Sequence, residues 1–193
     1  MATEKRKNKL EKVLRRRITD LTIVLENIND PHNVSAIFRT ADAVGISEVH
    51  LLYPNGKFPK LGRKSSASAN KWVDKKNHIS IKKCFTSLKK KGFKFYATKI
   101  DENSESLFDI DFNEKAAIIF GNEHQGISEE MLPFIDETIY IPMRGMVQSL
   151  NVSVSCAVIL YEILRQKYAT QNIGQSMLTE KEIKKKLSIW LKK

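Results

Sequence analysis

Ile141-Pro142-Met143-Arg144-Gly145-Met146-Val147-Gln148-Ser149-Leu150-Asn151-Val152-Ser153-Val154-Ser155 places hydroxyl and amide side chains where a buried helix normally begins with apolar ones. The stretch reads as a strand end, a tight turn and a polar helix start. Gly145 permits a backbone conformation closed to other residues. Ser149 or Asn151 is positioned to cap the apolar run over 152–164, leaving free backbone N–H groups beside Gln148 and Asn151. Such a turn holds a polar ligand against main chain.

Upstream of this stretch, short β-branched runs alternate with segments of helical periodicity. The successive segments are 21–25, 33–44, 48–53, 81–91, 94–98, 116–120, 128–134 and 138–141, and a long helix spans about 149–166. Alternation of this kind predicts an α/β fold with a mostly parallel sheet and helices on both faces. Open parallel sheets bind ligands outside the carboxyl ends of their strands. Three polar segments follow strands here, 26–39, 121–128 and 141–155, and the end of the strand at Thr98 is a fourth.

Each polar residue also has a plain structural reading. Asn33 and Arg39, six apart, stand about one above the other on a helix; alternatively Asn33 caps that helix and Arg39 pairs with Asp42 or solvent. Glu123, after an apolar strand, is equally a turn carboxylate. The sequence has no HExxH, GxxxxGK[ST] or GxSxG motif, and no GxGxxG follows the first strand, which disfavours an ordinary nucleotide-binding Rossmann site.

The 193 residues, 41% hydrophobic, suffice for one globular domain with extensions. A net charge of +11 and a pI near 9.6 favour a polyanionic partner. The charge concentrates at the two ends. The first carries Lys5, Arg6, Lys7, Lys9, Lys12, Arg15, Arg16 and Arg17 around a stripe of Leu10, Val13 and Leu14, and predicts a docked amphipathic helix. The second opens with a capping-box pattern over 179–182 and presents Ile183, Leu187, Trp190 and Leu191 as its apolar face. The long loop over 54–71 mixes lysines, including Lys64, with serines, a composition that suits phosphate contacts or disorder.

Cys84 and Cys156 form no CxxC pair, and His32, His50, His78 and His124 are scattered without ligand spacing, so neither a disulfide nor a metal site is expected. No segment is apolar enough to span a membrane. A soluble, unprocessed, cytoplasmic protein is expected.

Asn33 with Arg39, then Ile119-Phe120-Gly121-Asn122-Glu123, then residues 141–155, taken in that order, resemble the three motifs of the SPOUT class of RNA 2′-O-methyltransferases. The resemblance covers about 20–168. Within the class it points to the branch that methylates guanosine 18 in the tRNA D-loop, on the basic N-terminal helix, the Lys71-Trp72-Val73 segment and the closing Trp190-Leu191. Methylation of rRNA or of the tRNA anticodon loop, or a catalytically silent RNA-binding domain, are the alternatives.

The resemblance implies a basic N-terminal extension (1–19), a methyltransferase domain (20–168) with a deep trefoil knot over about 118–168, and a basic C-terminal extension (169–193). It implies S-adenosyl-L-methionine as donor, in a pocket lined by Thr98, Gly121, Ile141, Met146 and Leu150. Arg39, Asn33, Glu123, Ser149 and Asn151 become the catalytic set, and Arg6, Lys9, Arg15, Arg16, Arg17, Lys64 and Arg165 the RNA contacts. The class further implies a homodimer in which both subunits build the active site, with the 152–164 helix as interface.

Overall fold

The computed structural model describes residues 3–59, 69–170 and 176–193. Seven parallel strands form one sheet in the order β3-β2-β1-β6-β4-β7-β5. They are β1 (Leu21–Glu26), β2 (Glu48–Leu52), β3 (Asp74–His78), β4 (Lys94–Thr98), β5 (Glu105–Ser106), β6 (Ala116–Phe120) and β7 (Glu137–Tyr140). The helices are α1 (Glu4–Leu14), α2 (Pro31–Val44), α3 (Ile81–Lys89), α4 (Val152–Thr170) and α5 (Glu180–Trp190), with 3-10 turns at Ala69–Lys71 and Glu129–Phe134.

The central strands are apolar on both faces because helices cover both. Ile23 and Leu25 of β1, with Ile118 and Phe120 of β6, face a core closed by α2 and α4. Val24, Ala117 and Ile119 point the other way, against Cys84, Phe85 and Leu88 of α3. The expected α/β sheet is therefore present, and every ladder among the described residues is parallel. β3 and β5 carry no apolar signal in the sequence: β3 reads Asp-Lys-Lys-Asn-His with no buried side chain, and β5 has two residues. Both lie at the sheet edges, where neither face is deeply covered and no apolar pattern is required.

α2 shows how local sequence sets an element's start. Asp30, not Asn33, is its N-cap and accepts from the His32 N–H at 2.8 Å, while Pro31 occupies the first turn, where its missing N–H costs nothing. The helix ends at Gly45, φ +92°, where a Cβ would lie 2.9 Å from the Arg16 carbonyl.

The two basic ends pack on each other. Leu10 and Leu14 of α1 share a separate apolar cluster with Leu178, Ile183, Leu187 and Trp190, and the expected capping box at Thr179 and Glu182 is formed. Burying each such side chain is worth about 1.5–3 kcal/mol, enough to hold two short helices together. At the far end of α4, the buried Lys167 ammonium meets Asp20 at 2.7 Å, fastening that helix to the entry of β1. Among the described residues no helix is long and apolar enough to cross a membrane.

Candidate active site

The chain runs β1, β2, β3 to one side of β1, then crosses to β4 and β6 on the other, so the strand order reverses beside β1 and β6. Ligands bind open sheets at such a reversal, beyond the carboxyl ends of the strands. A cavity of about 430 Å³ lies on the β6 side of that reversal, walled by the ends of β4, β6 and β7 and the start of α4.

Thr98, Gly121, Ile141 and Leu150 line this cavity, as do Glu123, Ser149 and Asn151. Met146 does not: it is 100% exposed on the outward side of the 142–151 segment, and Met143 of the same segment lines the wall instead. Asn122 and Ile127, inside the polar 121–128 segment, also contribute, as do Lys99 and Ile100, which carry no signal in the sequence beyond following the strand that ends at Thr98. Gly145 adopts no left-handed conformation and has open space around it, so the special backbone expected there is absent. The glycine that matters sterically is Gly121. A Cβ on it would stand 2.2 Å from the Gly126 carbonyl carbon, because the 121–126 loop folds back through paired hydrogen bonds between Asn122 and Gly126, both 2.9 Å.

The polar residues form one connected network. Glu123 accepts from the backbone N–H of Asn29 at 2.9 Å and of Asp30 at 3.3 Å, and from Asn33 Nδ2 at 3.0 Å. Asn33 Oδ1 in turn accepts from Asn151 Nδ2 at 3.1 Å. Asn151 Oδ1 accepts from the Ser153 N–H at 2.9 Å and so caps α4; Ser149 does not. Partial burial pushes the Glu123 carboxyl up, but the donors from Asn29, Asn33 and Asp30 outweigh it and hold its pKa below the usual value. Asn122 Nδ2 donates to the Asn27 carbonyl at 2.8 Å, and Glu26 accepts from the Ser128 N–H at 3.0 Å and from its hydroxyl. Glu123 lies 90 positions from Asn33, and Asn151 lies 118 from it, yet the three form one clamp joining the start of α2, the loop after β6 and the N-cap of α4.

Arg39 stands apart. It is exposed on α2, outside the cavity lining, and has no hydrogen bond or ion pair with any described residue. Asp42, the partner considered for it, binds Arg17 at 2.5 Å.

Of the basic residues expected to meet RNA, Arg6, Lys9 and Arg16 are exposed on α1 and just past its end. Arg15 pairs with Glu11 at 2.7 Å and with Glu180 of α5 at 2.5 Å. Arg165 is exposed and held by Glu162 at 2.8 Å. Lys64 lies outside the described residues. Arg17 is a correction: it is 2% exposed, donates to the Ile46 carbonyl, Asp42 and the Trp72 carbonyl, and sits 5.3 Å over the Trp190 ring. Its guanidinium is spent inside the protein, bolting the terminal helices to the end of α2.

Residues 20–161 match the SpoU rRNA Methylase family. The chain belongs to that family. A tRNA (guanosine(18)-2′-O)-methyltransferase of Thermus thermophilus is 44% identical over 191 residues, covering 99% of this chain and 98% of the relative. The enzyme of that name in Escherichia coli K12 is 44% identical over 175 residues, 88% of this chain and 75% of its own. The crystal structure of a TrmH/SpoU tRNA modifying enzyme of Aquifex aeolicus superposes with a TM-score of 0.92 at 36% identity, covering 98% of this chain and 96% of that one. For this SpoU family member the likeness therefore extends through both terminal helices, beyond the family's matched core.

Proposed function

We propose that this protein methylates the ribose 2′-hydroxyl of guanosine 18 in the tRNA D-loop, using S-adenosyl-L-methionine, as a homodimer in the cytoplasm. The observation that carries the reading is the Asn33–Glu123–Asn151 clamp at the cavity mouth of a chain that aligns end to end with guanosine-18 enzymes.

The cavity suits the donor. Gly121 brings backbone close enough to exclude even a Cβ, and Ile139, Ile141 and Leu150 supply apolar wall. Bound there, the donor supplies an electrophilic methyl on a sulfonium. Thr98, Gly121, Ile141 and Leu150, with Met143 in place of Met146, hold it, and the chain would thread there as the family's trefoil knot. Glu123 and Asn33 fix the α2 start against the cavity mouth, and Ser149 and Asn151 shape the ribose side. In-line transfer of that methyl to O2′ would leave the sulfur as a neutral thioether and the hydroxyl proton with solvent, so these residues would serve to align the ribose with the donor. A guanidinium stays protonated at neutral pH and is no proton acceptor. Arg39 instead grips the phosphate beside the target ribose and favours alkoxide character.

Arg39 stands outside its own subunit's cavity, and a second copy resolves this. Val154, Tyr161 and Tyr168, spaced by seven along α4, are 47%, 53% and 64% exposed and form one unpaired stripe. Pairing through that stripe lets Arg39 serve the partner's cavity. Helices α1 and α5, packed together through Leu10, Leu14, Ile183 and Trp190, present Arg6, Lys9 and Arg16 to the tRNA, with Arg165 further along.

Mapping of ribose methylation on a tRNA transcript incubated with the full chain and donor tests the substrate. Label at guanosine 18 is expected; label confined to another nucleotide, or none, overturns the assignment. Subunit mixing tests the shared site: Arg39→Ala mixed with Leu150→Arg should regain about a quarter of wild-type activity through mixed dimers. No recovery would place Arg39 in its own subunit's cavity.

A further inference from the structure

Two of the four histidines, unrelated by spacing, are brought together by the sheet. β2 and β3 pair in parallel with His50 opposite Lys76 and Leu52 opposite His78, so His50 and His78 lie two positions apart on one face. Their rings are nearly parallel, 18° apart, and His50 Nδ1 lies 2.9 Å from His78 Nε2. Cys84, on the first turn of α3, completes the group, and one ligand atom from each residue falls within 4.8 Å of the others. Behind His50, Glu48 Oε1 lies 3.1 Å from Nε2 and is itself neutralised by Lys91 at 3.3 Å and Lys76 at 3.8 Å.

We propose that His50, His78 and Cys84 form a zinc site that staples edge strand β3 and helix α3 to β2. Two imidazoles and a thiolate are a borderline-soft donor set that suits Zn²⁺ and disfavours Mg²⁺ or Ca²⁺. Bonds of ~2.0 Å to nitrogen and ~2.3 Å to sulfur place tetrahedral ligand atoms ~3.3–3.6 Å apart. The two ring nitrogens therefore open by a few tenths of an ångström and the sulfur closes in, movements within reach of side-chain torsions. Glu48 places a carboxylate 3.1 Å behind this histidine, as zinc sites favour; with the ring proton on Nε2, the Nδ1 lone pair of His50 is left for the metal. His50 and Cys84 are buried while His78 is partly exposed, so the ion enters past His78 and a water takes the fourth position.

Binding is balanced in protons. The Cys84 thiol releases one proton to solvent as it binds the metal as thiolate, and each imidazole coordinates through the ring nitrogen that carries no proton. A staple has a structural purpose here because β3 buries no side chain of its own and ends the sheet. None of the three ligands lines the candidate donor cavity, so the site stands independently of the methyltransferase reading.

The test titrates the metal-depleted full chain with Co²⁺ as spectroscopic probe, then with Zn²⁺. One equivalent of Co²⁺ should bind with a thiolate-to-cobalt charge-transfer band that Zn²⁺ abolishes. Zn²⁺ at a hundredfold excess over Kd should raise Tm by roughly 5–10 °C. Cys84→Ser should remove the band and His78→Ala should weaken binding at least tenfold, while both retain S-adenosylmethionine binding as a check on folding. No band at stoichiometric Co²⁺, or a band that survives Cys84→Ser, overturns the proposal.

Discussion

Gly121→Ala is the smallest change that tests how the cavity is built. The added Cβ would lie 2.2 Å from both the carbonyl carbon and oxygen of Gly126 and 2.4 Å from the Ile127 nitrogen. Ordinary contact begins at 3.4 Å, so the returning strand of the loop must retreat by about 1.2 Å. All three atoms are main chain, and no side chain can swing aside to relieve the clash. That retreat breaks the two 2.9 Å hydrogen bonds between Asn122 and Gly126, worth about 1 kcal/mol each, and displaces Ile127 from the cavity wall. A loss of about 2–3 kcal/mol follows, which lowers Tm by roughly 4–12 °C and donor affinity by roughly 30- to 150-fold. Gly145→Ala is the matched control: it meets nothing within 4 Å and its φ is unremarkable, so both quantities should stay at wild-type values. Calorimetric titration with S-adenosylmethionine, beside thermal melts of both variants, reads the contrast. Wild-type donor affinity in Gly121→Ala would refute the claim that backbone contact at this loop forms the donor wall.

Arg17→Met should cost about 3 kcal/mol, because Asp42 and the Ile46 and Trp72 carbonyls lose their donor together, and Tm should fall by roughly 6–12 °C. A melt unchanged by that substitution would return Arg17 to the RNA-facing surface. Folding lowers the Glu123 pKa, so its stabilising contribution is complete above its ordinary value of 4.5 and fades as pH falls through the lower folded value. Glu123→Gln does not ionise and should flatten the acid limb of a Tm–pH curve below that point; an identical limb in both proteins would contradict the network's role. Replacing Arg6, Lys9 and Arg16 together by Ala should reduce the slope of log tRNA affinity against log salt by about 2–3, close to one for each phosphate left without its cation, with donor affinity unchanged. A slope that does not move would remove α1 from the RNA surface.

What the sequence disclosed followed from which residues carry a periodic or paired signal. β1 and β6 are buried on both faces and announce themselves as continuous apolar runs, whereas Asp74-Lys75-Lys76-Asn77-His78 forms an edge strand held by its ladder alone and is invisible. Asn33, Glu123 and Asn151 are legible because each is polar at a strand end or helix start. Their mutual hydrogen bonds are not, since pairings across 90 and 118 positions depend on the sheet order. Arg15-Arg16-Arg17 looks uniform as a charge run, yet the end of α1 distributes its members between an ion pair, solvent and the interior.

The same logic explains His50 and His78. Spacing of 28 along the chain carries no metal-ligand pattern, and the pair becomes visible only through strand register. With Leu52 opposite His78, a shift of one residue between β2 and β3 would put the two imidazoles on opposite faces of the sheet. The cluster therefore reports the register of an edge strand that has no apolar side chains to set it. A zinc ion bound there would fix that register directly, by bonds to both strands and to α3.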